Sequence, residues 1–340
     1  MDSMVLGRTG LKTGSSGFGA LPLQRVSFEV AGKLLLKAYE NGINFFDTAR
    51  AYSDSEEKIG NSLSGVRKNI VIATKTSASD AKGFYEQLET SLRNLRTDYI
   101  DIYQLHNPAK MPEPEDSSGL YDALLEVTKR GLVRFIGLSN HRLDIALKAS
   151  ASGLYDTIQF PLSTLSSEED LKLIEACRKS NTGLIAMKAL AGGLITNAAS
   201  AFAFLRQFGN VLPIWGIQKE AELDEFLSLE KNPPILDAEM MRLIDQDREE
   251  LTGSFCRACG YCMPCPAGIQ INTSARMSLL LRRARYQDFL GEEWHDRMEL
   301  IEGCINCGQC KKRCPYGLNT PELLKRNLED YREFYNSHKN

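Results

Sequence analysis

At 340 residues the chain has room for two domains, or for one large barrel with an appendage. Its net charge of -3, with no basic tail, argues against a nucleic-acid binder, and no apolar run is long enough to cross a bilayer. The start, MDSMVLGRTG, lacks a charged stretch followed by an apolar core, so no signal peptide is expected. Eight of the nine cysteines fall between Cys256 and Cys314, a crowding that argues for metal rather than disulfides and for a reducing cytoplasm.

The Gly- and Thr-rich text from Leu6 to Gly19 reads as a hairpin lid followed by a first short strand. Phe28 to Glu40 has helical apolar spacing and stops at Asn41-Gly42. Ile43 to Phe46 is a short apolar run and reads as a buried parallel strand. Asp47 and Thr48 stand at its end, Tyr52 follows in the loop, and Ser55-Glu56-Glu57 opens a helix with a hydroxyl cap and acids in the first turn. Further strands are expected at Asn69–Lys75, Tyr99–Leu105, Leu132–Ser139, Thr157–Gln159, Gly183–Lys188 and Val211–Gly216. Helical text separates them, over Phe84–Leu95, from Leu120, after His141, and over Glu168–Ser180, Ala198–Phe208 and Ala221–Leu229. This is the rhythm of an α/β protein, a (β/α)8 TIM barrel. Pro233-Pro234 ends it, because no helix continues through that pair. The organisation expected is a barrel over 1–236, a helical connector over 237–255, and a small, mostly helical iron-sulfur domain over 256–340.

Polar residues collect at the predicted strand ends: Asp47, Lys75, His106, Ser139 with Asn140, and Gln159. Taken singly, each has a plain structural reading: a loop cap, a paired lysine, a satisfied core histidine. Together with Tyr52 they define the mouth of a barrel, where side chains at strand carboxyl ends gather for catalysis. A tyrosine beside an ammonium has its pKa pulled below the free value of about 10, which suits it to proton donation near neutrality.

The motifs DTARAYSDSE, VIATKT, YQLHN and FIGLSN resemble those of the aldo-keto reductases, over roughly Met4 to Leu229. The resemblance implies a barrel that binds NADPH or NADH and reduces an aldehyde or ketone, or oxidises the alcohol. It implies Tyr52 as general acid, Lys75 and Asp47 as its tuning pair, and His106 as a second donor to the carbonyl. Ser139, Asn140 and Gln159 would hold the nicotinamide carboxamide. The aromatic platform of the family falls here at Met187, a thioether that can still pack on a ring. Gly192 and Gly193 would line the pyrophosphate, though either also fits a plain turn. Gln218-Lys219 stand where many members carry an arginine for the 2′-phosphate.

Cys256, Cys259, Cys262 and Cys265 are spaced C-x2-C-x2-C-x2-C-P. Cys304, Cys307, Cys310 and Cys314 are spaced C-x2-C-x2-C-x3-C-P, the ferredoxin spacing for a [4Fe-4S] cluster. Zinc sites favour two separated pairs instead. The resemblance is to dicluster ferredoxin domains, in which the fourth cysteine of one motif serves the other cluster; the first motif here is one residue short before its last cysteine. Cys177 reads as a buried structural thiol. Residues 256–340 carry 13 Lys+Arg and 10 Asp+Glu, a surplus of 3 that two oxidised cubanes, about -2 each, would nearly cancel. Hydride carries two electrons and each cluster takes one, so direct exchange calls for an intermediary such as a flavin, which barrel loops can hold, or a redox partner protein. In a carbonyl reductase the clusters would either pass electrons to or from a partner or serve structure alone; an electron-transfer module with the barrel as docking scaffold is the alternative reading.

Overall fold

Every strand of the barrel is short and apolar on at least one side, and each becomes stable only through its two neighbours. The structure, a computed structural model, describes residues 2–251 and 255–338; residues 252–254 of the predicted connector lie outside the described residues, as do 1, 339 and 340. The chain divides into two compact units: Met1–Ala189 with Ala198–Ala238, and Leu190–Asn197 with Glu239–Asn340.

In the first unit, β1 (Ser3–Val5) and β2 (Lys12–Gly14) form the predicted antiparallel hairpin. Its turn closes the amino end of the barrel. Leu6 and Leu11 join the inner apolar cluster, and the Arg8 N–H donates to the Asn181 carbonyl at 2.6 Å. Gly7 has a φ of +50°, and a Cβ there would lie 2.3 Å from the Gly183 nitrogen, so only glycine permits the approach.

Eight parallel strands then close the barrel: β3 (Gly17–Gly19), β4 (Phe45–Asp47), β5 (Val71–Thr76), β6 (Ile100–His106), β7 (Val133–Ser139), β8 (Thr157–Pro161), β9 (Gly183–Met187) and β10 (Val211–Gly216), with β10 pairing back onto β3. Around it run α1 (Phe28–Glu40), α2 (Ser55–Leu63), α3 (Ala81–Leu95), α4 (Leu120–Lys129), α5 (Leu143–Ser152), α6 (Glu168–Ser180), α7 (Ala198–Arg206) and α8 (Glu220–Lys231). This is the (β/α)8 architecture that the alternation predicts. Inward positions alternate along each strand: Phe45, Val71, Ala73, Ile102, Ile185, Met187, Leu212 and Ile214 fill the centre.

Two local differences have clear causes. α3 starts at Ala81 rather than Phe84, because Asp80 accepts from the Gly83 N–H at 2.9 Å and caps the helix early. α2 is preceded by Asp54 rather than capped by Ser55. The buried Ser55 hydroxyl accepts from Thr48 at 2.9 Å and donates to the Ala20 carbonyl at 3.0 Å, tying two mouth loops together.

In the second unit the described residues form helices without strands: α9 (Ala238–Glu250), α10 (Ile271–Ser274), α11 (Met277–Arg283), α12 (Glu292–Glu299), α13 (Gln309–Arg313) and α14 (Thr320–His338). α14 carries the unit's core, with Leu324, Leu328, Tyr331 and Tyr335 buried at helical spacing. The buried Asn327 side chain accepts from the Ser278 N–H at 2.9 Å and donates to the Leu323 carbonyl at 2.8 Å, pinning α11 to α14. Arg276 Nη2 donates to the Gly192 carbonyl at 2.7 Å and Arg283 Nε to the Leu194 carbonyl at 2.9 Å, which holds the strap 190–197 to this unit. Among the described residues no helix is long and apolar enough to cross a membrane.

Candidate functional site

The barrel mouth is assembled by alternation. Asp47, Lys75, His106 and Ser139 lie at or next to the carboxyl ends of β4 to β7, and Gln159 two residues before the end of β8. Asp47 and Lys75 each stand two residues on from an inward apolar residue, Phe45 and Ala73, and His106 two residues on from Gln104. Lys75 is 1 % and Asp47 3 % exposed, so both charges are out of water. The Lys75 ammonium donates to both Asp47 oxygens, at 2.7 and 2.8 Å, and to the Thr48 carbonyl at 2.7 Å. An ammonium has three N–H groups, and these three bonds account for them. Lys75 therefore acts on Tyr52 through its field: Nζ lies 5.4 Å from the centre of the Tyr52 ring, over its face. Burial pulls Lys75 below the ordinary lysine value and pushes Asp47 above the carboxylate range, each opposed by the other's charge.

The His106 ring stands edge-on to the Tyr52 ring, with centroids 5.8 Å apart. Burial, then the charges of Lys75 and Lys188, lower the His106 pKa to about 3. His106 is thus a neutral hydrogen-bond donor across the physiological range.

Gln159 is fixed from both sides. Its Nε2 donates to Asp47 Oδ2 at 3.3 Å, and its Oε1 accepts from Gln104 Nε2 at 2.7 Å. Gln104 reaches β8 by passing over Gly137 of the intervening β7; a Cβ on Gly137 would lie 2.6 Å from Gln104 Cγ. The Asn140 amide donates to the Pro108 carbonyl and accepts from the Arg142 N–H, both at 2.9 Å, which orients it at the mouth. Ser139 Oγ and Gln104 Oε1 are buried and have no hydrogen-bond partner among the described residues. Buried polar atoms without partners are rare and mark a place for a polar ligand atom, so this end of the barrel fits a carboxamide-bearing cofactor.

Met187 is 8 % exposed and joins the inner cluster at the top of β9. Gln218 and Lys219 precede α8, where their N–H groups donate to the Glu222 carboxylate at 2.9 and 3.0 Å. Gly192 and Gly193 have φ of +69° and +90° and belong to the second unit. Three mouth residues escaped the sequence reading. Gln104 sits two residues before His106 and shares its face, so alternation could have found it. Buried Glu56 accepts from Thr74 Oγ1 at 2.7 Å and pairs with Arg50, and its charge supports the Lys75 ammonium. Lys188, just past β9, has a φ of +58° and is felt by His106; nothing in the sequence marked these two.

In the second unit the thiols surround two hollows. Cys256, Cys259, Cys262 and Cys314 line one. Cys265, Cys304, Cys307 and Cys310 line the other, which Cys262 also borders. The last cysteine of each motif thus lies with the first three of the other. Among the described residues no group of three His, Cys, Asp or Glu side chains is placed to hold a single metal ion. Burial pushes the Cys262 thiol up to about 12, so its thiolate form calls for a nearby metal charge. Cys177 lies apart, buried in α6, where burial raises its thiol pKa.

A profile described as the aldo/keto reductase family matches residues 4–202, and one described as a 4Fe-4S dicluster domain matches residues 255–319. The chain is 31% identical over 211 residues to L-galactose dehydrogenase of Arabidopsis thaliana, covering 56% of this chain and 66% of that protein. It is 30% identical over 234 residues to the uncharacterized oxidoreductase YrpG of Bacillus subtilis, covering 58% and 69%. The matched stretch therefore spans about two thirds of these relatives' length. An aldo-keto reductase structure from Pseudomonas aeruginosa superposes with a TM-score of 0.61 at 26% identity, covering 67% of this chain and 93% of that one. The chain belongs to the aldo/keto reductase family of oxidoreductases and carries a 4Fe-4S dicluster domain after its barrel.

Proposed function

We propose that the barrel reduces an aldehyde or ketone with NADH or NADPH, or catalyses the reverse alcohol oxidation. The observation that carries this is the buried Lys75 ammonium, pinned by Asp47 and lying over the ring of Tyr52, with His106 at the same ring. Bound nicotinamide would supply a hydride to the carbonyl carbon. Tyr52 gives its hydroxyl proton to the carbonyl oxygen and is left as a phenolate, which the Lys75 charge favours. Neutral His106 donates an N–H to the same oxygen as negative charge builds there. Asp47 keeps Lys75 charged despite its burial, and Gln104 holds Gln159 where its amide supports the Asp47 carboxylate. Ser139, Asn140 and Gln159 would hold the carboxamide, Met187 would pack on the ring, and Gln218 with Lys219 would meet the adenosine end.

Residues 1–236 are proposed to carry this chemistry and residues 256–340 the clusters, with 237–255 joining them. The cubane ligands are assigned crosswise: Cys256, Cys259, Cys262 and Cys314 to one, Cys265, Cys304, Cys307 and Cys310 to the other. The clusters are proposed to exchange single electrons with a partner in a reducing cytoplasm.

Calorimetric titration of the anaerobically purified protein with NADH and NADPH tests the barrel reading. Saturable binding of at least one is expected, and Ser139→Val is expected to weaken it roughly tenfold, the worth of one lost hydrogen bond. Absence of saturable binding for both, with clusters intact, removes the reading. Iron analysis tests the crossed ligands. The parent should hold about eight iron per chain and Cys256→Ala with Cys314→Ala about four, whereas Cys256→Ala with Cys265→Ala strikes both clusters and should lose nearly all. Equal iron in the two double variants would rule out the crossing.

A further inference from the structure

We infer that the surface over the Cys304–Cys307–Cys310 hollow is a docking site for a small acidic protein that carries one electron at a time. Three observations meet on this loop. The hollow reaches the surface at Cys307, the one exposed thiol among the described cysteines, although Cys310 on its inner side is buried; the other hollow has no exposed thiol. Next to it, Ile305 is 66 % exposed, one of few large apolar side chains so placed among the described residues. Finally, α13 ends in Lys311, Lys312 and Arg313, all exposed and engaged by no carboxylate among the described residues. Residues 303–314 contain no acid, and the carboxylate of neighbouring Glu302 is taken by Arg332 at 2.9 Å.

These cations are poorly placed to balance the cluster from within. Arg276 illustrates that role: it is 4 % exposed and its charge bears on Cys256. Lys311, Lys312 and Arg313 lie in water, where a charge serves encounter rather than compensation. An exposed apolar centre with a charged rim is the anatomy of a transient interface, and a rim of one sign selects a partner of the other. The transfer balances simply: the carrier loses one electron and the [4Fe-4S] core gains one, going from 2+ to 1+, with no proton or bond involved.

The inference extends the proposed electron-carrying role of the clusters, and its test uses no carbonyl substrate, so its failure leaves the barrel chemistry standing. The cluster-loaded full chain is titrated calorimetrically with an oxidised acidic plant-type ferredoxin as probe, at low and at high salt. Saturable binding that weakens with salt is expected. Lys311→Gln with Lys312→Gln and Arg313→Gln should weaken it by about tenfold or more and flatten the salt dependence. Ile305→Ser should weaken binding while leaving the salt dependence unchanged, and it decides the matter if the triple variant fails to load iron. No saturable binding at low salt, or unchanged affinity in the variant that decides, overturns the inference. So does self-association of the parent that the variants abolish, because a second copy would then own the face.

Discussion

Tyr52→Phe is expected to bind nicotinamide as the parent does and to lose roughly 10²–10⁴-fold in turnover, the usual worth of a general acid. The substitution keeps the ring over which Lys75 lies and against which His106 packs, so the geometry of the mouth should persist. Only the transferable proton is gone. His106 is not expected to replace it: with a pKa lowered to about 3, its imidazole is already neutral and gains no proton until the solution is strongly acid. For the same reason the parent's kcat/KM should show no limb from His106 between about pH 5 and 8, whereas a histidine at its free value of about 6.5 would titrate inside that window. Anaerobic single-turnover measurements, following nicotinamide fluorescence, separate hydride transfer from cofactor release. Near-normal hydride transfer in Tyr52→Phe would overturn the assignment of Tyr52 as the proton donor.

The barrel was readable from the chain because its information is local. Alternation in NIVIATK and YIDIYQL, and the helical spacing between such runs, name strand, helix and inward face without reference to partners. The same rule carries Lys75 and His106 to the mouth. What was not readable depends on pairings between distant residues. Alternation alone puts Gln104 on the mouth-facing side, but its role depends on Gly137 letting it reach Gln159, 55 residues on. The strap 190–197 joins the second unit through Arg276 and Arg283, more than 80 residues away, and no composition change announces it. The bonds that the Asn140 amide makes to the Pro108 carbonyl and the Arg142 N–H likewise join loops that the motif alone does not bring together. Spacing named all eight clustered cysteines. Which thiols share a hollow depends on the helices folding back between the two motifs; the resemblance to dicluster domains implied a crossing, and Cys314 lies at the hollow of the first motif and Cys265 at that of the second.

Lys75→Met should abolish turnover and also destabilise the barrel, by about 3–5 kcal/mol, because it strands Asp47 as a buried charge without its cation. The pH dependence of that loss has a definite sign. Burial raises the Asp47 pKa, and without Lys75 the largest opposing influence is gone. A carboxyl whose folded pKa is raised contributes full stability below its unfolded value, about 3.9, and loses it as pH rises through the folded value. Lys75→Met should therefore be markedly weaker at pH 8 than at pH 5. Barrel unfolding can be followed in a Trp294→Phe background, where buried Trp215 of β10 is the remaining tryptophan. Adding Asp47→Asn removes the stranded charge, so the double variant should recover most of the stability and lose the pH slope while remaining inactive. That separation divides the two duties of the pair, since folding needs only neutrality at this position whereas catalysis needs the ammonium over Tyr52. A Lys75→Met protein within about 1 kcal/mol of its parent at pH 8 would contradict the buried pair, and an active double variant would contradict its role in catalysis.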